Sequence, residues 1–370
     1  MKLIILRNNL KDGLQAVERA VSENNNLPVL KYVLIKAGLR LVISATNLEI
    51  GVTYETNAKI NEEGAITVPL GPLHSIITNS ASERINLETS GNTLIVKTDN
   101  YEAKIQGLSS EEFPIIPKIE NNDQPLEIEG EVLKRALNEI VHAAQTNDAK
   151  PELSSILFDF QVGALKLVAT DGFRLAEKTL LNNSFVSSFN KAVKVLVPIK
   201  TIQEVLRIFK PGQRIAIHID ANQASFKTEG LEIISRLIDG TYPDYTAIIP
   251  KQVVTEFSVS REEFMTGVKL VSNFSGRGSD IKLRLKEDSS ALEVFAANNL
   301  VGENNYLIPA RKKKGNGFAE TAFNWKYLLE GVRPLSSEMI TIGLVSETKP
   351  AIIRPAEDDS LMYIVMPISS

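Results

Sequence analysis

Three aspartates stand where a carboxylate could meet a hard cation: Asp171 in Thr170-Asp171-Gly172, Asp239 before Gly240, and Asp244 in Tyr242-Pro243-Asp244-Tyr245. Three such oxygen donors would suit Mg²⁺ or Ca²⁺, and a metal-dependent reaction on nucleic acid is the chemistry they would support. Asp followed by Gly has a simpler local task, because the carboxylate can bond its own backbone while Gly takes a positive φ. No general base stands beside any of the three. His74, His142 and His218 are far apart and form no His-x-x-x-His pair, so no histidine metal site is expected. The chain has no cysteine, which excludes disulfides, thiolate zinc, iron–sulfur clusters and cysteine nucleophiles. There is also no P-loop, no dinucleotide Gly-x-Gly-x-x-Gly after a strand and no Gly-x-Ser-x-Gly elbow. The balance is against an enzyme, and no cofactor is expected.

The elements that must position Asp171 are legible around it. Leu165-Lys-Leu-Val-Ala169 alternates as a half-buried strand should, Thr170-Asp171-Gly172 breaks the pattern, and Phe173-Arg174-Leu175 resumes an extended run. The turn holds Phe173 and Arg174 at a sheet margin, and on these residues alone an ordinary hairpin accounts for it. The chain is 370 residues long, with 43% hydrophobic and 23% charged residues and a net charge of −4. That length suggests two to four domains at about 100 to 200 residues each. No run approaches the roughly 18 apolar residues of a membrane helix. Arg7, Asn8 and Asn9 interrupt Leu3-Ile4-Ile5-Leu6 before a signal-peptide core can form. A protein in a reducing cytoplasm fits these features.

One order of elements occurs three times. A strand at 2–6 precedes a helix at 7–21 with Leu10, Leu14, Val17 and Val21 on one face, and strands follow at 29–35, 39–45, 49–55, 57–61 and 64–68. Pro69 or Pro72 opens a second helix, taken over 69–80, and strands at 84–89, 92–98 and 101–107 close the unit. The order returns with helices at 131–145 and 199–210, and again with helices at 260–272 and 324–335. Val197-Pro198 matches Val68-Pro69, and Gly240-Thr241-Tyr242-Pro243 echoes Glu111-Glu112-Phe113-Pro114. The strand ends Ala45-Thr46-Asn47, Ala169-Thr170-Asp171 and Ala296-Ala297-Asn298 lie about 125 residues apart, too far for a solenoid. The expectation is an α+β protein of three similar domains, 1–120, 121–250 and 251–370, each an antiparallel sheet with two helices. The six helices carry 12 Lys and Arg against 8 Asp and Glu in a chain of net charge −4. They form the basic side of an acidic protein, as a surface facing phosphate would, although solvated helices often carry such charges.

Val168-Ala-Thr-Asp-Gly-Phe-Arg-Leu175, Leu237-Ile-Asp-Gly-Thr-Tyr-Pro-Asp-Tyr245 and the terminal Met366-Pro367, set in this repeat order, resemble the bacterial beta sliding clamp, the processivity subunit of DNA polymerase III. The resemblance covers the whole chain. It implies a head-to-tail homodimer, a ring of six domains with helices lining the pore and duplex DNA passing through without sequence preference. It further implies a groove for short hydrophobic peptide motifs of the polymerase III catalytic subunit, the clamp loader, and repair or translesion polymerases. The matching positions are Leu153, Thr170, Gly172, Phe173, Arg174, Leu175, Pro243, Ile248, Pro350, Ile364, Met366, Pro367 and Ile368. Phe173 stands where His is common, Thr246-Ala247 where an Arg is common, and Ser369-Ser370 where Arg-Leu usually ends the chain. Candidate DNA-facing cations, from charge on the expected helices and their flanks, are Lys200, Arg207 and Lys210, with Arg7, Lys11, Lys134 and Lys150. Asn24-Asn25-Asn26 replaces a loop that often carries Arg, and Pro151-Glu152 stands where aromatics occur. The expected dimer contacts are edge strands at 101–107 and 268–274. A metal-dependent nucleic-acid enzyme and a repeat scaffold that binds only proteins are the alternatives.

Overall fold

The computed structural model describes residues 1–22, 27–119, 125–145, 150–187, 192–286, 290–315 and 320–368. The Asn24-Asn25-Asn26 loop and Ser369-Ser370 lie outside the described residues. The first repeat runs β1 (Lys2–Leu6), α1 (Arg7–Val17), β2 (Tyr32–Ala37), β3 (Leu41–Thr46), β4 (Ile50–Thr56), β5 (Lys59–Glu62), β6 (Gly64–Pro69), α2 (Leu70–Asn79), β7 (Arg84–Ser90), β8 (Thr93–Lys97) and β9 (Glu102–Gln106). The second runs β10 (Leu126–Glu129), α3 (Gly130–Ile140), β11 (Ser155–Gln161), β12 (Ala164–Thr170), β13 (Arg174–Leu181), β14 (Phe185–Ser187), β15 (Val193–Pro198), α4 (Ile199–Ile208), β16 (Arg214–Ile219), β17 (Gln223–Thr228) and β18 (Leu231–Arg236). The third runs β19 (Thr255–Ser260), α5 (Arg261–Ser272), β20 (Asp280–Leu285), β21 (Ala291–Asn298), β22 (Gly302–Lys314), β23 (Thr321–Asn324), α6 (Trp325–Val332), β24 (Met339–Leu344), β25 (Ala351–Pro355) and β26 (Leu361–Val365). In the third repeat β22 takes the place of two strands.

The first helix of each repeat is built on one apolar spacing. Leu10, Leu14 and Val17 in α1, Leu133, Leu137 and Ile140 in α3, and Phe264, Val268 and Val271 in α5 recur at i, i+4 and i+7, and all are fully buried. Pro69 is the N-cap residue of α2, outside its hydrogen-bonded turns. Ser260 and Asn324 cap α5 and α6 through their side chains. Helix and sheet approach closely where a side chain is missing. A Cβ on Gly13 would lie 2.7 Å from Ile43 and 2.9 Å from Tyr54, and one on Gly267 would lie 2.8 Å from Tyr306.

The sheets do not respect the repeat boundaries. The chain divides into two compact units, one of residues 1–130, 186–188 and 203–237, the other of residues 131–185, 189–202 and 238–370. The first unit carries a five-stranded sheet, β5-β1-β7-β8-β9, and a nine-stranded sheet, β14-β10-β16-β17-β18-β4-β3-β2-β6. The second carries a twelve-stranded sheet, β15-β11-β12-β13-β26-β25-β24-β19-β22-β21-β20-β23. The cause is strand pairing between repeats: β18 pairs antiparallel with β4, Ile234 opposite Gly51, and β26 pairs antiparallel with β13, Ile364 opposite Leu175. Every described strand pair is antiparallel and each repeat holds two helices, as the sequence led us to expect. One expectation is corrected. Residues 268–272 lie in α5, so 268–274 is not an edge strand. Its Phe264, Val268 and Val271 spacing is helical, and the open margin of the third repeat is the first half of β22.

Gly331 in α6 marks another tight approach, since a Cβ there would stand 2.1 Å from Cε1 of Tyr363. Both residues are buried and Tyr363 donates to the Tyr327 carbonyl, so its ring has little freedom to move. Gly331→Ala is expected to destabilise the protein by about 2 kcal/mol despite alanine's better helix propensity, because overpacking of a filled core outweighs it. Urea denaturation checks this, and an unchanged midpoint would contradict the packing argument.

Candidate protein-binding groove

The hairpin turn between β12 and β13 is set by its own side chains. Asp171 Oδ1 accepts from the backbone N–H groups of Phe173 at 2.9 Å and Arg174 at 3.0 Å. Thr170 donates its hydroxyl to the Arg174 carbonyl at 2.6 Å and accepts from Gly172 N–H at 3.1 Å. The same device occurs in the other repeats. Asn47 Oδ1 accepts from Glu49 and Ile50, and Asn298 Oδ1 from Leu300. The third position of the turn has φ +90° at Gly172 and +74° at Leu48, a conformation that favours glycine. The second Asp171 oxygen accepts from Arg174 Nε at 3.0 Å. Asp244 caps the short helical turn Tyr245–Ile248 through the N–H and hydroxyl of Thr246. These carboxylates are engaged in holding turns, and the metal-enzyme alternative has no support. Among the described residues no cluster of three or more His, Asp or Glu could hold a metal.

Along the β13–β26 ladder, Leu175 and Ile364 are opposite each other and both fully buried. They pack with Leu157, Val168, Leu196, Tyr245, Ile352 and Met362, and Ile238, Tyr242, Ile249 and Val253 close over them. The Phe173 carbonyl accepts from Met366 N–H at 2.8 Å, which carries the chain end past the hairpin. Phe173 itself is 62% exposed. Phe173, Leu175, Ile364 and Met366 therefore meet at one sheet margin, with Met366, Pro367 and Ile368 half-buried and Pro243 exposed. Ile249 joins the cluster, whereas the expected Ile248 faces solvent. Leu153 and Pro350 are buried but are not members of the cluster. Tyr242 and Tyr245, which the Tyr-Pro-Asp-Tyr motif contains but the expected groove omits, floor this margin. Their rings meet edge to face with centroids 6.5 Å apart, and the Tyr242 hydroxyl donates to the Val168 carbonyl. Burial pushes both phenols up, and the hydrogen bond with Glu177 pushes Tyr245 further.

Arg174 goes elsewhere. Successive strand residues face opposite sides of a sheet, so the side chain next to Leu175 points away from this cluster. Its guanidinium bonds Asp171 and Glu330 and lies 4.4 Å over the Tyr327 ring. Burial alone would push Arg174 down, but the Glu330 hydrogen bond and nearby negative charge leave it raised. Lys178, two strand turns on, is buried between Glu139 at 3.0 Å and Asp358 at 2.9 Å. His142 packs against the Tyr363 ring with centroids 5.5 Å apart. These ion pairs, with Lys178 and Glu139 buried, Arg174 nearly so, and Glu330 and Asp358 partly exposed, join α3, β13, the β25–β26 turn and α6. Nothing in local sequence pattern marks Glu330, Glu139 or Asp358 as partners of Arg174 and Lys178.

The candidate DNA-facing cations fall into two groups. Arg7 donates to the Ser80 carbonyl at 2.6 Å, Arg207 pairs with Glu204 and the Gln15 carbonyl, and Lys210, two residues past the end of α4, sits 3.4 Å from Asp12. Lys11, Lys150 and Lys200 make no ion pair among the described residues, while Lys134 is half-buried on α3. Arg7 thus has a structural role at the end of α2.

Solved structures share this fold. The sliding clamp of Bacillus subtilis matches with a TM-score of 0.95 at 24% identity, over 100% of this chain and 99% of that one. A clamp from Pseudomonas aeruginosa bound to griselimycin matches with a TM-score of 0.93 at 25% identity, over 100% of both chains. The architecture is the three-domain DNA-clamp fold. The models of the N-terminal, central and C-terminal domains of the DNA polymerase III beta subunit match residues 1–117, 127–244 and 246–369. Beta sliding clamps from Synechococcus elongatus and Bacillus subtilis are 28% and 27% identical over 100% of this chain and 99% of their own. The chain belongs to the DNA polymerase III beta subunit family, the bacterial beta sliding clamps, which are processivity factors and not enzymes. Among the described residues no helix is long and apolar enough to cross a membrane.

Burial, followed by the charge of Arg174, holds His142 down at about 4 from its ordinary 6.5, against a backbone hydrogen bond with Asn138. Between those pH values the unfolded chain binds a proton that the folded chain does not, so stability falls as pH drops. From pH 7 to pH 4.5 the wild type is expected to lose about 2 to 3 kcal/mol more than His142→Gln, from the integrated shift. Urea melts at the two pH values measure it, and equal losses would contradict the assignment.

Proposed function

We propose that the chain forms a head-to-tail homodimeric ring that encloses duplex DNA and tethers replication proteins to it. The observation that carries this reading is the pairing of sheet edges. In two places the last strand of one repeat joins the hairpin strand of the repeat before it, β18 with β4 and β26 with β13. The third such pairing would use β9, the last strand of its sheet, and Gly302–Leu307 of β22, which pair with β21 on one side only. Two open edges of this kind on one chain favour a closing heterologous dimer. The domains of the ring are residues 1–120, 121–250 and 251–370.

The register follows from the repeats. Ile234 faces Gly51 and Ile364 faces Leu175. The strand positions four before Ile238, Ile368 and Leu108, whose N–H groups bond the equivalent carbonyls of Leu196, Ala322 and Thr67, correspond to one another. Lys104 of one protomer then faces Glu303 of its partner, an opposite-charge cross-strand pair. Lys104→Glu or Glu303→Lys should weaken the dimer by about 1 to 2 kcal/mol over the two interfaces, and the double swap should restore it. Sedimentation velocity across a dilution series decides this, and a dimer indifferent to both reversals would refute the register.

DNA is held by topology, and its phosphate contacts are weak, independent of sequence and sensitive to salt. Lys11, Lys150 and Lys200 supply unpaired charge for them, with Arg7, Lys134, Arg207 and Lys210 in secondary positions. The work is done in the cytoplasm, with the chromosome. The margin of Phe173, Leu175, Ile364 and Met366 receives short hydrophobic peptides of the polymerase III catalytic subunit, the clamp loader and repair or translesion polymerases, with Leu153, Thr170, Gly172, Pro243, Ile248, Pro350, Pro367 and Ile368 around it. Arg174 acts there from behind, by fixing the hairpin. Flexible aliphatic and Met surfaces suit one motif shared by many partners.

Phe173→Ala should leave the melting temperature near that of wild type, because the side chain is largely exposed. It should weaken a polymerase-tail peptide by about 1 to 2 kcal/mol. Deletion of residues 366–370 should cost at least as much affinity while retention on circular DNA survives. Calorimetric titration of the peptide into each protein checks both, and unchanged affinity would remove the groove.

A further inference from the structure

We propose that the first unit carries a second peptide-binding cleft, on the face that corresponds to the groove floor in the second unit, and that it takes an extended partner segment with an aromatic anchor flanked by acidic residues. The internal repeats supply the argument. Phe113-Pro114 in the connector after the first repeat matches Tyr242-Pro243 after the second, so Ile116 stands where Tyr245 stands. In the second unit Tyr245 packs on Val168, Leu175, Ile352 and Met362. Counting along the paired strands places Ser44, Gly51, Ser225 and Glu232 at the corresponding positions of the first unit. Four large apolar side chains become two serines, a glycine and a glutamate.

The described part of the connector, up to Ile119, does not fill the space this leaves. Ile116 lies over Gly51, where a Cβ would lie 2.7 Å from Ile116 Cγ2. A cleft of about 890 Å³ remains beside it, lined by the β2–β3–β4–β18 surface and the connector. Ser44 and Thr53 share a 3.2 Å hydrogen bond in its lining, with Thr53 at the position of Glu177, which holds the Tyr245 hydroxyl in the second unit. Leu39 and Ile115 line the cleft, the first fully exposed and the second 91% exposed. An incoming aromatic ring with a polar tip would replace the absent tyrosine and cover these two side chains.

Charge selects what flanks the ring. Lys36, Arg40, Lys118 and Lys227 all line the cleft and form no ion pair among the described residues. The carboxylates in the lining are Glu55 and Glu232, and Glu232 already accepts from Ser225 at 2.7 Å. Four unpaired cations against two carboxylates favour an acidic segment over a basic or neutral one. A linker segment lying on the equivalent face of the second unit is the internal precedent for an extended backbone in this place.

The test uses fluorescence anisotropy of the full-length protein with fluorescein-labelled Gly-Glu-Asp-Tyr-Leu-Phe-Asp-Glu and a control peptide with lysine at each acidic position. Binding should persist within about twofold in the Phe173→Ala protein lacking residues 366–370, and fall by about tenfold or more in Leu39→Asp/Ile115→Asp. Lys36→Glu/Lys118→Glu should weaken it by at least about fivefold, and the lysine control should not bind. Both pairs are exposed, and matched circular dichroism and melting curves verify folding. No binding of the acidic peptide up to about 1 mM would overturn the proposal. So would binding lost with the chain end and indifferent to Ile115→Asp, which would place the peptide in the first groove only. Failure of that first groove appears separately, as a polymerase-tail peptide unaffected by Phe173→Ala.

Discussion

The edge of an antiparallel sheet carries N–H and C=O groups that must be paired, covered or left to water, and this chain resolves the problem by joining repeats edge to edge. The β4–β18 and β13–β26 ladders each merge two repeats into one continuous sheet. That is why the compact units cut across the three repeats. Among the described residues it also leaves β9 and the first half of β22 paired on one side only. A dimer that pairs them needs no further device to be head to tail, since the two margins are different surfaces.

The second junction is reinforced where its sheet meets the helices. Arg174 and Lys178 lie on one side of β13 and find Asp171, Glu330, Glu139 and Asp358, while Leu175 on the other side joins the Tyr245 cluster. Buried charge of this kind adds little net stability, because desolvation offsets the attraction, but removal of one partner leaves an expensive orphan. Strand alternation thus divides the labour of one hairpin. On β13, Arg174 and Lys178 fix the frame from one side, and Leu175 joins the apolar cluster on the other. In the first unit the same frame is filled with smaller residues, and a cleft takes the place of a plug.

Much of this was legible in the sequence because the signals were local. The i, i+4, i+7 spacing of Leu10, Leu14 and Val17 and its two copies located the helices, and Thr170-Asp171-Gly172 located the hairpin with its bonding residues correctly assigned to a turn. What was missed depends on long-range placement. Tyr245 stood in a recognised motif, yet only the fold brings it onto Leu175. The family resemblance places Arg174 in the groove, whereas alternation turns its side chain to Glu330, 156 residues away. Residues 268–274 were assigned to an edge although Val268 and Val271 continue a helical stripe. Formal charge likewise overstated Arg207 and Lys210, whose partners Gln15 and Asp12 come from the first helix.

Hydrogen exchange resolved along the chain tests the central claim most directly, because edge amides gain protection only when another strand pairs with them. Exchange at Glu102–Gln106 and Gly302–Leu307 should slow together as protein concentration is raised through the dimer's dissociation constant, while the interior strand β17, paired on both sides within the chain, stays protected throughout. Fast exchange in both segments at concentrations where the protein sediments as a dimer would show that other surfaces make the assembly, and would contradict ring closure through these edges.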